Sequence, residues 1–267
     1  FKPNNATLIV VGATSLAEIQ PKLEGLFAGW KAGEVPKKSI SVVPPKAKSA
    51  VYVVDRPGAQ QSLILAGLLA PPRNNPDEVP FELMQEALGG SFTSRINMNL
   101  REDKHWSYGA QMALPDAKGQ RPYFAFAPVQ SDKTAEAVAE IAKELRGIVG
   151  DKPVTAEELA KAQGNLTLTM PGDWETNRAV AGSLAQIVQY GLPADHFDTY
   201  PAKVRSQQLA AVQAVAKKIV TPDKVVYVVV GDREKIEAGL RSLGLGELQL
   251  LDADGKPVAA PPAKPAP

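Results

Sequence analysis

A strand–glycine–helix unit occurs near both ends of the chain and restricts the possible folds more than any other feature. Residues 5–12, NATLIVVG, are a short apolar run ending in glycine, which reads as a buried strand. Leu16, Ile19, Leu23 and Leu26 follow at helical spacing, with Ser15 placed to cap. Residues 223–231, DKVVYVVVG, repeat the strand and glycine, and Ile236, Leu240 and Leu243 repeat the helix. Aligning Gly12 with Gly231 also aligns Pro3 with Pro222. Such units are common in α/β proteins, so the recurrence fits either coincidence or a true repeat. A true repeat makes residues 1–30 the C-terminal strand and helix of a preceding homologous domain, and residues 50–251 a complete second one. The start, FKPNNATLIVV, has no signal-peptide layout and no initiator methionine, and reads as a cut inside a longer chain.

Between these ends, residues 31–49, KAGEVPKKSISVVPPKAKS, are rich in proline and lysine without periodicity and read as a linker. Val51–Val54 and Gln61–Leu69 are strand candidates around the turn DRPGAQ. A helix beginning at Asp77 carries Phe81, Met84 and Leu88 and stops at Gly89–Gly90. Ser91 or Thr93 caps a second helix with Ile96 and Leu100 on one face. Ser107–Leu114 and Pro122–Val129 pair as a hairpin joined by DAKGQ. Ser131 caps an amphipathic helix carrying Val138, Ile141, Ala142, Leu145 and Ile148. Thr155–Glu158 is a capping box. Helices over Trp174–Tyr190 and Ser206–Val220 precede the last strand. This order predicts an α+β fold, an antiparallel-rich mixed sheet with helices mainly on one face. Residues 252–267, rich in alanine and proline, are expected to be a disordered tail.

Composition excludes several function classes. Thirty basic against 29 acidic residues, without a long single-sign block, argue against a nucleic-acid footprint. No apolar run approaches the roughly 18–20 residues that span a bilayer. Cysteine is absent, which removes disulfides, thiolate zinc sites and cysteine nucleophiles. That absence suits an oxidising compartment and the cytoplasm equally.

Chemistry is hard to find by motif. His105 and His196 have no His or Glu partner at the helical spacing that puts two ligands on one face, and HxxEH is absent. No metal site is expected in this chain. There is no G-x-S-x-G elbow, and GGSF (89–92) lacks the lysine of a phosphate loop. Arg101 and Tyr108, within GGSFTSRINMNLREDKHWSYGA (89–110), fit a working pair, or equally a helix C-terminus and the start of a strand. The residues alone leave both readings open.

The same stretch resembles the signature of the second domain in the insulinase/pitrilysin family of zinc metallopeptidases. Gly89, Gly90, Ser94, Arg95, Leu100, Arg101, Glu102 and Tyr108 fall on that family's Gly-Gly, Ser-Arg, Leu-Arg-Glu and Tyr positions. Residues 52–90 resemble the strand–strand–helix lead-in, and FKPNNATLIVVGATSLAEIQPKL resembles the close of the preceding domain. The resemblance implies the pitrilysin/mitochondrial-processing-peptidase-like fold and the non-metal-binding half of a zinc endopeptidase. Zinc is then expected in an HxxEH-bearing partner domain or subunit, with an unfolded peptide as substrate and no cofactor in this segment. It assigns Arg101 and Tyr108 to substrate binding and transition-state stabilisation, and makes the segment inactive by itself. A structural core-type subunit without proteolytic activity and a stand-alone peptide-binding module are the other readings. Many relatives carry Gly and an aliphatic residue where this chain has His105 and Trp106, which predicts a bulky ring at the chamber wall or a shifted turn. Related proteins point to the periplasm or another exported location.

Overall fold

The computed structural model describes residues 1–258. Alternation of apolar residues along the strands dictates the sheet, since successive side chains point to opposite faces. Strands β1 (Ala50–Asp55), β2 (Gln61–Ala70), β3 (Gln111–Ala113), β4 (Arg121–Gln130), β5 (Val226–Gly231) and β6 (Glu247–Leu251) form one sheet in the order β3-β4-β2-β5-β1-β6. The β3-β4, β4-β2 and β2-β5 pairs are antiparallel, whereas β5-β1 and β1-β6 are parallel. Met112, Ala125, Ala66, Tyr227, Val51 and Leu248 are successive partners across all six strands, and all are buried. Ala127, Ile64, Val229, Val53 and Leu250 form a second buried row.

Helices cover mainly that face. They are α1 (Leu16–Phe27), α2 (Glu78–Gln85), α3 (Arg95–Asn97), α4 (Thr134–Val149), α5 (Ala156–Leu168), α6 (Met170–Asp173), α7 (Asn177–Tyr190), α8 (His196–Ser206), α9 (Leu209–Ile219) and α10 (Arg233–Ser242). The core receives Phe81 and Met84 from α2, Ile141 and Leu145 from α4, Val212 and Ala216 from α9, and Ile236 and Leu240 from α10. Parallel neighbours require a crossover, and α10 provides one, packing on β1 between β5 and β6. The opposite sheet face stays partly open: Leu69 of β2 and Phe126 of β4 are exposed there.

The structure departs from the sequence expectations in identifiable places. Residues 6–11 form no strand, because a strand needs a partner for its backbone groups and no ladder reaches them. Helix α1 forms, headed by the Ser15–Glu18 capping box, yet none of its residues is buried. Residues 31–49 contain no helix and only reach β1 at their end. They are pinned at Gly33 by the Asn4 amide and at Val43 by the Gln120 amide. Strands β1 and β2 are not neighbours, since β5 lies between them. The Ser131 hydroxyl donates to Ala59 O rather than capping α4, and a 3-10 turn (Ser131–Lys133) precedes that helix. Thr155 and Glu158 do form the capping box of α5. The expected helix from Trp174 begins at Asn177, and the one from Ser206 begins at Leu209, after extended Gln207 and Gln208. Helix α8 escaped detection because Pro201 lies inside it, and β6 because it has only five residues. Asp252–Val258, expected to be disordered, close a turn back onto β6, with Val258 N donating to Leu250 O (2.9 Å). The rest of the expected tail, 259–267, lies outside the described residues. Among the described residues no helix is long and apolar enough to cross a membrane.

Candidate functional site

The site is built from residues 86–110, where the chain leaves α2 and returns to the sheet edge. Helix α2 runs into a π-helical turn, Glu86–Gly90. Gly89 is there for closeness as well as for termination: a Cβ on it would lie 2.4 Å from Met112 N, on β3. The chain then becomes extended at Ser91, and Ser94 rather than Ser91 or Thr93 occupies the N-cap position of α3. The Ser94 hydroxyl donates to Ser91 O (2.6 Å), bracing the turn instead of capping the helix. A second π-helical turn, Met98–Asp103, carries Leu100 inward and Arg101 outward. Such turns insert one residue into a helix and re-aim the side chains beyond it.

Arg101 is held from two sides. Its guanidinium lies 4.4 Å from the centroid of the Phe92 ring, and its Nε is 3.3 Å from Glu102 Oε1. The chain reverses at His105, which takes a left-handed conformation (φ 57°) and sets its Nδ1 3.0 Å from Arg101 O. His105 is thus a non-glycine residue in the left-handed region, a conformation that normally favours glycine. Trp106 is half-buried and packs on the core.

Tyr108 is 89% exposed. It does not stand at the start of a strand as expected, because β3 begins only at Gln111. Nearby backbone donors are engaged elsewhere: Gly109 N donates to Ser107 Oγ (3.1 Å) and Ala110 N to Asn97 Oδ1 (3.0 Å), while the Ser107 hydroxyl donates to Pro128 O (2.6 Å). Gln130 clamps the turn from β4, donating from N to Trp106 O (3.0 Å) and from Nε2 to His105 O (3.2 Å).

Arg101 and Tyr108 line one open groove of about 480 Å³, with Gln60, Gln61, Glu102 and Trp106. Gln61 and Gln130 are register partners at the ends of β2 and β4, out of phase with the buried rows. The groove therefore lies at the rim of the open sheet face. A cation and a phenol hydroxyl here offer hydrogen-bond donors to a carbonyl or carboxylate.

The two histidines do not meet. His105 lines the groove, whereas His196 opens α8 beside a separate cavity of about 410 Å³ that also touches Arg73, Trp174 and Tyr200. Burial and the nearby Arg73 charge lower the pKa of His196. At its wall, the buried Arg73 and Arg121 meet the buried Glu78, the half-buried Glu82 and the exposed Asp116, paired at 2.8 Å (Arg73–Glu78), 2.9 Å (Arg73–Glu82) and 3.0 Å (Arg121–Asp116). Two arginines here face three carboxylates, and burial raises the pKa of one of them, Glu82, so the cluster is an internal ion-pair network. Among the described residues no three His, Cys, Asp or Glu side chains are placed to hold a metal ion. Sequence reasoning missed Phe92, Asn97, Gln61 and Gln130. A polar Asn97 beside the buried Ile96 was the one available signal, and the other three required the fold.

Residues 1–166 match the family described as peptidase M16 inactive domain. The chain belongs to that family. No curated protein matches the sequence. Among solved structures, the peptidase M16 inactive domain from Pseudomonas fluorescens is 21% identical, with a TM-score of 0.72 over 83% of this chain and 52% of that one. A putative zinc protease from Bordetella pertussis is 20% identical, with a TM-score of 0.55 over 63% of this chain and 93% of its own. The periplasmic protease PqqL from Escherichia coli is 14% identical, with a TM-score of 0.62 over 80% of this chain and 24% of its own. At these identities the likeness is one of fold. The chain spans about half the length of the Pseudomonas fluorescens chain.

Proposed function

We propose that this M16 inactive domain is the zinc-free half of an endopeptidase, closing a chamber over an HxxEH-bearing partner domain and offering Arg101 and Tyr108 to the peptide substrate. Residues 1–30 then belong to the preceding homologous domain, residues 31–49 connect the two, and residues 50–251 are the second domain. The observation that carries the reading is the placement of a half-buried Arg101 and an exposed Tyr108 along one groove at the rim of a partly open, apolar sheet face. An extended peptide lying on that face would meet Leu69 and Phe126 along the wall and the two donors at its edge.

Zinc in the partner, when bound, would polarise the scissile carbonyl and activate water. The residues of this chain act on the same carbonyl from the other side. The Arg101 guanidinium, fixed over Phe92, and the Tyr108 hydroxyl donate hydrogen bonds to the oxygen on which negative charge grows. In this chain Tyr108 is exposed and Arg101 half-buried, so their donors gain strength when a partner excludes water. The similarity to a periplasmic protease supports an exported location.

Reconstitution tests the function: this chain is combined with the HxxEH-bearing half and zinc, and cleavage of an unfolded peptide is followed. Cleavage that needs both halves supports the proposal. Peptide binding without cleavage points to a binding module, and neither binding nor cleavage to a structural subunit.

A further inference from the structure

Arg101 and Tyr108 lie on opposite sides of a reversal in the chain, and one buried side chain touches both arms. Asn97 of α3 is 4% exposed. Its Nδ2 donates to Phe92 O (2.5 Å), and its Oδ1 accepts from Ala110 N (3.0 Å). Phe92 is the ring under the Arg101 guanidinium, and Ala110 lies two residues beyond Tyr108. The carboxamide is the one uncharged side chain of this size that carries both an acceptor and a donor on one planar group.

We propose that Asn97 is a positioning residue that sets the Arg101 arm and the Tyr108 arm relative to each other. The inference rests on the function proposed above. Glu102 alone would not do this, since its ion pair is with the adjacent Arg101 on the same turn. Gln130 and Ser107 secure the Tyr108 arm to β4 but leave Phe92 free. Asn97 joins the two arms directly. Loss of the amide leaves the buried Ala110 N–H and the partly buried Phe92 C=O without this partner, and both arms relax.

The two halves of the amide can be separated. In Asn97→Asp one carboxylate oxygen still accepts from Ala110 N, while the other faces Phe92 O and repels it. That variant releases the Arg101 arm alone. Asn97→Leu, with the same branching but no polar atom, releases both. In the assembled two-domain enzyme, Asn97→Asp is expected to lower kcat about tenfold or more, with KM changing less than about twofold. In an Arg101→Ala background the same substitution is expected to change nothing further, because its effect passes through Arg101. Within this chain, without zinc or partner, amide hydrogen exchange at Ala110 should accelerate about tenfold in Asn97→Leu and stay slow in Asn97→Asp.

An Asn97→Asp variant with wild-type kcat, or one that slows the Arg101→Ala enzyme by the same factor as the wild type, overturns the inference while the proposed function stands. Unchanged exchange at Ala110 in Asn97→Leu overturns it without reference to activity. Wild-type rates in both Arg101→Ala and Tyr108→Phe would remove the function itself and the positioning role with it.

Discussion

The guanidinium of Arg101 lies 4.4 Å from the centre of the Phe92 ring, stacked on a side chain that is itself 59% exposed. An exposed phenyl is costly to keep in water, and here it gives a long, flexible arginine a fixed platform. A contact of this kind at the surface is worth about 0.5–1 kcal/mol. Phe92→Leu should therefore lower turnover by the assembled enzyme about two- to fivefold while leaving the melting temperature nearly unchanged. Steady-state kinetics and a thermal scan of the same samples check both parts.

Gly89 is predicted to be intolerant of any side chain. A Cβ would come within 2.4 Å of Met112 N and 2.5 Å of Met112 Cγ, and the first of these atoms is backbone in the β3–β4 ladder. Gly89→Ala should destabilise the domain by about 1–3 kcal/mol through overpacking. Urea denaturation measures it. An unchanged midpoint would mean that the π-helical turn can slide away from β3.

Arg95 lies beside the groove-forming turn but is held by structure. Its Nε and Nη2 donate to the two oxygens of Glu158, each at 2.6 Å, and Glu158 also closes the capping box of α5. Glu158→Ala removes the carboxylate from a mostly buried pair and the cap from a helix. The expected cost is about 3 kcal/mol. The Glu158 pKa is lowered through its bonds to Arg95 and Thr155 despite the opposing effect of burial, so its contribution is present above the ordinary carboxylate range and is lost as pH falls. Stability curves of wild type and variant should converge in acid.

Glu82 predicts the opposite pH trend. Burial pushes its carboxyl up to about 7, against the lowering influence of Arg73 at 2.9 Å and the hydrogen bond from the Tyr200 hydroxyl at 2.7 Å. Unfolded, the group titrates near its ordinary 4.5, so between these values the folded chain keeps a proton that the unfolded chain releases. Stability then falls as pH rises through that window. Glu82→Gln should lack this slope, so the stability of the wild type relative to the variant should shrink between about pH 5 and about pH 7. Denaturant titrations at three pH values test the sign. The contribution of His196 runs the other way but is common to both proteins and cancels in the difference.

The elements that sequence made legible are those with a local cause. The cap at Ser15, the capping box at Thr155, the apolar stripe of α4 and the strands β2 and β4 each depend on neighbours in sequence, and all are present. Failures came where a distant group decides. Gly109 and Ala110 stay out of β3 because the Ser107 hydroxyl and the Asn97 carboxamide take their backbone N–H groups, and residues 6–11 form no ladder because no strand lies beside them. Strand order was beyond reach, since β5, some 160 residues after β2 in roughly counted sequence, inserts between β1 and β2. In the site, the motif resemblance pointed to Arg101 and Tyr108. It was silent on Phe92, Asn97 and Gln130, whose roles depend on contacts between arms.

Peptide turnover by Arg101→Ala and Tyr108→Phe, each assembled with the zinc-bearing half and matched to wild type for zinc content, tests the central claim most directly. The account predicts a loss of about 10²–10³ in kcat for each, as expected when one donor to a developing oxyanion is removed. Wild-type kcat in both variants, at equal zinc, would contradict it.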